Sequence, residues 1–338
     1  MRRRMIILAT QHIGVGGANR PHRFFIFIMM KNNTATNINF GRRRFMMVLA
    51  SLPLFTAGTF TTDTVLAASR QNDIEQRINS YINKLRSRGI IQSDEKTAWS
   101  VYDFKKREKL VSINENSPYQ CASMIKPFIA LAYFYKLKHN KKNYRYTSSI
   151  RKKMEAMIRH SDNHATNFFI RLLSNKPKHQ RPAEVEKILK HHAPGIFLQT
   201  RIREYIPRNG RTYRNKASAR DYSRFLYALW HDELPNSSEL KRLMGLQNRD
   251  RISVGVDIVP PITKVYDKTG TTARLCGDMG IMEAVGRDGN TYPYIFIGII
   301  EKQHRAKNYG QWAKNRSNVI RSISAMVYAD MKQRYPLV

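Results

Sequence analysis

Gln120-Cys121-Ala122-Ser123-Met124-Ile125-Lys126-Pro127-Phe128-Ile129-Ala130-Leu131-Ala132 is the stretch whose reading decides the fold. Small residues lead in, and an apolar run follows that predicts a helix over 123–138. Ser123 and Lys126 stand three apart, which on a helix puts both side chains on one face within contact range. A neutral lysine amine there can take the serine proton. The amine is neutral only if burial or a second cation lowers its pKa. Pro127 falls near the first turn, where its missing N–H has no intrahelical partner to lose. The helix start also turns its free backbone donors and its dipole toward Ser123. The pattern alone is weak. Ser-x-x-Lys also begins at Ser93, Ser149 and Ser238, each of which reads as a solvated lysine beside a polar serine.

Two further triplets give Ser123 its context. Ser161-Asp162-Asn163 and Lys268-Thr269-Gly270 follow it in that order. The ordered set resembles the class A β-lactamases and the related penicillin-binding D-alanyl peptidases, over a region from about Gln71 to the C-terminus. The resemblance implies a serine β-lactamase-like fold. This is a mixed α/β structure whose antiparallel sheet is flanked by the N- and C-terminal helices, with an all-helical lobe inserted. The expected domain is 68–338, its α/β lobe built from 70–116 and 254–338 and its helical lobe from 117–253. The site is expected where the lobes meet.

The resemblance also implies roles. Ser123 attacks a carbonyl and forms an acyl-enzyme, with Lys126 as its base, a base tuned by the nearby Lys268. Ser161 relays the proton to the leaving nitrogen, while Asp162 braces the loop. Asn163 holds a substrate amide, and Lys268, Thr269 and Thr271 bind a carboxylate. Gly270 leaves room for a ligand along the strand. The backbone N–H groups of Ser123 and Thr271 form the oxyanion hole.

One part of the pattern is missing. Class A β-lactamases hold the deacylating water with a glutamate followed by proline. Here the stretch is Thr200-Arg201-Ile202-Arg203-Glu204-Tyr205-Ile206-Pro207, and matching the proline puts Ile206 in the glutamate's place. Isoleucine accepts no proton. Glu204, two residues earlier, is either a displaced equivalent or a surface partner of Arg201, Arg203 and Arg208. The expected function is therefore a serine hydrolase of the D,D-carboxypeptidase or penicillin-binding type. It acts on D-alanyl peptide amides of the cell wall, is acylated by β-lactams and is slow to deacylate. A β-lactamase is the first alternative, and a serine amidase or esterase for another substrate is the second.

Cys121 lies two residues before the nucleophile and Cys276 eight after Lys268. Some carbapenemases among the class A enzymes bridge this region. The resemblance therefore suggests a Cys121–Cys276 disulfide in an oxidising compartment, with two buried free thiols as the competing reading. No cofactor or metal is expected, since the ten histidines form no zinc-ligand spacing.

The remaining chain is read by periodicity and charge. Helices are expected over 72–88, 150–159, 165–173, 182–191, 220–230 and 318–335. Strands are expected over 98–104, 109–114, 264–267, 280–286 and 292–300. The 338 residues carry 59 Lys or Arg against 25 Asp or Glu, a formal charge of +34. Residues 1–67 read as an overlong start followed by export material. Gly41-Arg42-Arg43-Arg44-Phe45-Met46-Met47 resembles a twin-arginine signal, and Val65-Leu66-Ala67 is a small-residue cleavage pattern. Translation is expected to begin at Met29 or Met30. Removing those 67 residues takes away nine basic side chains and one acid, leaving +26. The expected setting is outside the cytoplasm, in the periplasm or at the cell surface, with a peptidoglycan peptide or β-lactam as substrate. Anionic envelope polymers are expected partners, nucleic acid is not, and the chain is expected to be a monomer.

Overall fold

The computed structural model describes residues 62–338 apart from 208, 247 and 248. The twin-arginine stretch and the start sites at Met29 and Met30 lie outside the described residues. Fifteen elements follow in order: α1 (Thr62–Ser87), β1 (Glu95–Asp103), β2 (Glu108–Ile113), β3 (Pro118–Gln120), α2 (Lys126–His139), α3 (Ser148–Ile158), α4 (Asn163–Leu172), α5 (Arg181–His192), β4 (Lys216–Ser218), α6 (Ala219–Trp230), α7 (Ser237–Met244), β5 (Lys264–Thr272), β6 (Leu275–Val285), β7 (Thr291–Lys302) and α8 (Tyr309–Arg334). Helix α1 begins ten residues before the expected helix and runs through the expected cleavage point at Ala67.

Five antiparallel strands form one sheet in the order β2-β1-β7-β6-β5, so both chain ends supply it and β5 is an edge. Strand alternation divides its side chains between two cores. Leu275, Met279 and Ile281 of β6 and Ile295, Ile297 and Ile299 of β7 face the helical lobe. Cys276, Met282 and Ala284, with Tyr294, Phe296 and Ile300, face α1 and α8. The two flanking helices are tied together by an Arg77–Asp330 ion pair of 2.6 Å. Arg316 of α8 holds the buried Glu95 of β1 at 2.7 Å.

The helical lobe is built on α2, which is buried along most of its length. Phe128 packs edge-on to Phe197 and Phe225. Side-chain caps start three of its helices: Thr147 accepts from Ile150 N–H, Asp162 from Ala165 N–H, and Ser218 from Asp221 N–H. The sequence reading assigns no element to 231–253, yet α7 forms there. Its eight residues span little more than two turns, too few for a clear period in the sequence, and it is fixed by burying Leu240, Leu243 and Met244.

The expected disulfide does not form: Cys121 and Cys276 are both free and buried. Cys121 belongs to the core on the helical side of the sheet. Cys276 belongs to the core on the opposite side, its sulfur lying 3.6 Å from Ser317 Oγ on α8. Proximity in the chain pattern placed both near Ser123, but strand alternation sends the second sulfur through to the far face.

Candidate active site

Ser123 stands on a 3₁₀ turn, Ala122–Ile125, rather than on the expected α-helix, and α2 takes over at Lys126. Three residues per turn eclipses positions i and i+3, so Ser123 and Lys126 still share one side. Ala122 and Ser161 adopt left-handed backbone, at φ 45° and 56°. For non-glycine residues that conformation costs about 1–2 kcal/mol each. It is retained at the two turns that present Ser123 and Ser161.

Lys126 is fully buried. Its Nζ donates to the Ser161 carbonyl, to Asn163 Oδ1 at 3.0 Å and to Ser161 Oγ at 3.2 Å. Among the described residues no hydrogen bond joins it to Ser123; such contacts are often long before substrate arrives. Burial lowers its pKa most, the Lys268 ammonium lowers it further, and Asp162 opposes them, bringing it to about 7. Lys268 is itself buried, and burial lowers its pKa too. It donates to the Thr269 carbonyl at 3.2 Å.

A cleft of about 260 Å³ collects the residues singled out in the sequence. Ser123, Ser161, Asn163, Thr269 and Thr271 line it, together with Ile206 and Thr212. Lys126 and Lys268 lie buried rather than lining it. Gly270 is needed for a reason other than ligand room. A Cβ there would come within 2.9 Å of Met124 Cγ and 3.0 Å of the Cys121 carbonyl. The glycine lets β5 close against the turn that carries Ser123.

The segment from Thr200 to Lys216 forms the remaining wall. Asn167 of α4 clamps the Ile206 peptide, donating to its carbonyl at 2.7 Å and accepting its N–H at 2.9 Å. The Ile206 side chain is buried and lines the cleft. Glu204 does something the sequence did not suggest. Its Oε1 accepts from Thr212 Oγ1 at 2.8 Å, Tyr213 N–H at 2.6 Å and Arg214 N–H at 2.8 Å. Asn215 completes the closure through Arg203 N–H and Glu204 N–H. Arg201 and Arg203 turn instead to Glu186.

Sequence reading missed Arg251. Its guanidinium reaches the Gly277 carbonyl at 2.9 Å, Ser317 Oγ at 2.8 Å and Thr271 Oγ1, while its N–H donates to the buried Asp278 at 2.7 Å. It thus carries positive charge under the cleft-lining end of β5. Nothing in the sequence distinguished this arginine among 59 basic residues.

The model of the β-lactamase enzyme family matches residues 139–331, which include both downstream triplets. The chain belongs to the β-lactamase enzyme family. The match begins after Ser123, so the first triplet rests on the geometry above. Solved structures of like fold include a mutant of PBP-A captured as an acyl-enzyme with penicillin G, 18% identical, covering 79% of this chain and 97% of that one, TM-score 0.58. An ancestral class A β-lactamase is 17% identical over 75% of this chain and 99% of its own, TM-score 0.58. A β-lactamase from Streptosporangium roseum is 14% identical over 77% and 99%, TM-score 0.58. At these identities the likeness is one of fold. No curated protein matches the chain by sequence. The family fixes the general chemistry as that of serine hydrolases with the β-lactamase or penicillin-binding fold.

Proposed function

We propose that Ser123 is the nucleophile of an exported acylating hydrolase that takes a β-lactam ring as acyl donor. The observation that carries this reading is the buried Lys126 with its pKa brought to about 7, beside Ser123 and bonded to Ser161. Ser123 Oγ adds to the lactam carbonyl as its proton passes to neutral Lys126. Backbone N–H groups of Ser123 and Thr271 stabilise the oxyanion. The C–N bond then breaks, and the proton returns through Ser161 to the leaving nitrogen, leaving an ester on Ser123. Asn163 Oδ1 is engaged by Lys126, which leaves its amide N–H₂ to hold the donor's side-chain carbonyl. Lys268, Thr269, Thr271 and the charge of Arg251 favour the substrate carboxylate.

Membership of the β-lactamase enzyme family favours β-lactam hydrolysis over the D-alanyl peptidase role that the sequence pattern put first. One observation keeps the peptidase as the second reading. Ile206, which the proline match puts in the glutamate's place, lines the cleft with an apolar side chain, and Glu204 is committed to the loop. Both readings share slow release of a penicilloyl ester, because losing a general base costs roughly 10²–10⁴-fold in its step.

The test is rapid mixing with a chromogenic cephalosporin, followed by intact-mass analysis. A burst near one equivalent, an adduct absent from Ser123→Ala, and a slow steady rate that rises in Ile206→Glu are expected. No adduct on the wild type sinks the acylation reading. Fast turnover without a burst sinks slow release.

A further inference from the structure

A basic trough adjoins the cleft across Asn163 and Ile206. A cavity of about 500 Å³ shares those two residues with the cleft and continues along His164, Arg171, Lys178 and Arg181. His164 and Arg171 are shared in turn with a cavity of about 690 Å³ that runs to Lys152 and Lys153. Four separate elements deliver these side chains: α3, α4, the turn at Lys178 and the start of α5.

The charges are not neutralised where they stand. Among the described residues, none of these six side chains forms an ion pair with a carboxylate, although many other cations of the chain do. Among the described residues Asp162 is the one acid on the trough walls, and it is occupied capping α4. Lys153 lies over the Phe168 ring and Arg181 donates to the Lys176 carbonyl, but neither contact neutralises charge; holding like charges together without a carboxylate is unfavourable unless an anion joins them, and a concave wall strengthens their field.

We propose that this trough binds a polyanionic strand, one with repeated phosphate or carboxylate groups, alongside the acyl donor at Ser123. The ligand class is an anionic envelope polymer or an acyl donor covalently carried by one. This rests on the acylation reading for what occupies the cleft, while strand binding is measurable without it. A strand seated here brings the acyl donor to Ser123 by tethering, which raises its local concentration.

The test uses fluorescence anisotropy with inorganic polyphosphate and with poly-L-glutamate, over a range of salt. The variants are Arg171→Glu/Lys178→Glu/Arg181→Glu and, as a control of equal charge change, Lys105→Glu/Lys106→Glu/Arg107→Glu on the exposed β1–β2 turn. A neutral set, Arg171→Gln/Lys178→Gln/Arg181→Gln, serves if the reversed set does not fold. At least tenfold weaker binding in the trough variants, less than twofold in the control, and a salt slope shallower by roughly two to three units are expected. The tighter of the two probes names the anion. Equal losses in trough and control variants mean diffuse charge and overturn the site, as does tighter binding of a DNA oligonucleotide than of both probes. Penicillin adduct formation is read on the same proteins. Its absence from the wild type would remove the acylation reading while leaving the anisotropy result to stand or fall alone.

Discussion

Lys126 decides the chemistry at the level of single residues. On the proposed acylation it must be neutral to accept the Ser123 proton, and its pKa is brought to about 7 by burial first and by Lys268 second. The sign follows directly. Below about pH 7 the amine is charged and acylation slows roughly tenfold per unit; above it the rate levels. Lys268→Met removes the neighbouring cation, so the rising limb should move to higher pH. The measurement is the pH profile of acylation by a penicillin in both proteins. A limb that stays in place after Lys268→Met would show that burial alone sets Lys126.

At the scale of elements, the wall from Thr200 to Lys216 is closed at its base by a bridge between Arg201 and Lys216, clamped at Ile206 by Asn167 and latched across the loop by Glu204 and Asn215. Glu204→Gln keeps an acceptor oxygen for Thr212, Tyr213 and Arg214, so it should leave acylation and steady turnover within about threefold of wild type. Were Glu204 a general base, the same change would cost roughly 10²–10⁴ in release of the ester. Glu204→Ala removes the acceptor and should destabilise the fold by about 1–3 kcal/mol. Melting curves and single-turnover kinetics on the pair separate latch from base. The strands and long helices of this fold were legible because period-2 and period-3.6 patterns are local. The latch was not, since it joins one carboxylate to a hydroxyl and two backbone N–H groups eight to ten residues away, and no periodicity marks such a bond.

For the whole molecule, the sheet is a partition. Cys121 and Cys276 sit on its two sides, so their thiols cannot meet without opening the sheet. Alkylation of the denatured protein without reductant should label both residues in protein purified from an oxidising compartment. An unlabelled pair would show that the sheet rearranges there. The partition also explains the placement of function. The core facing α1 and α8 is closed, while the β5 edge, the turn at Ser123 and the start of α4 meet on the other side. The trough opens from that junction.

What the sequence by itself determined was the mixed α/β class, the order of the three triplets and the absence of a carboxylate at Ile206. Each is a property of residue type and spacing along the chain. Only the tertiary structure decided that Ser123 rides a 3₁₀ turn, that Gly270 serves close packing, that Arg251 supports Thr271 and that the cysteines stay apart. Those depend on which face of a strand or turn a side chain takes and on what another element brings against it, and distant elements meet only when the chain has folded.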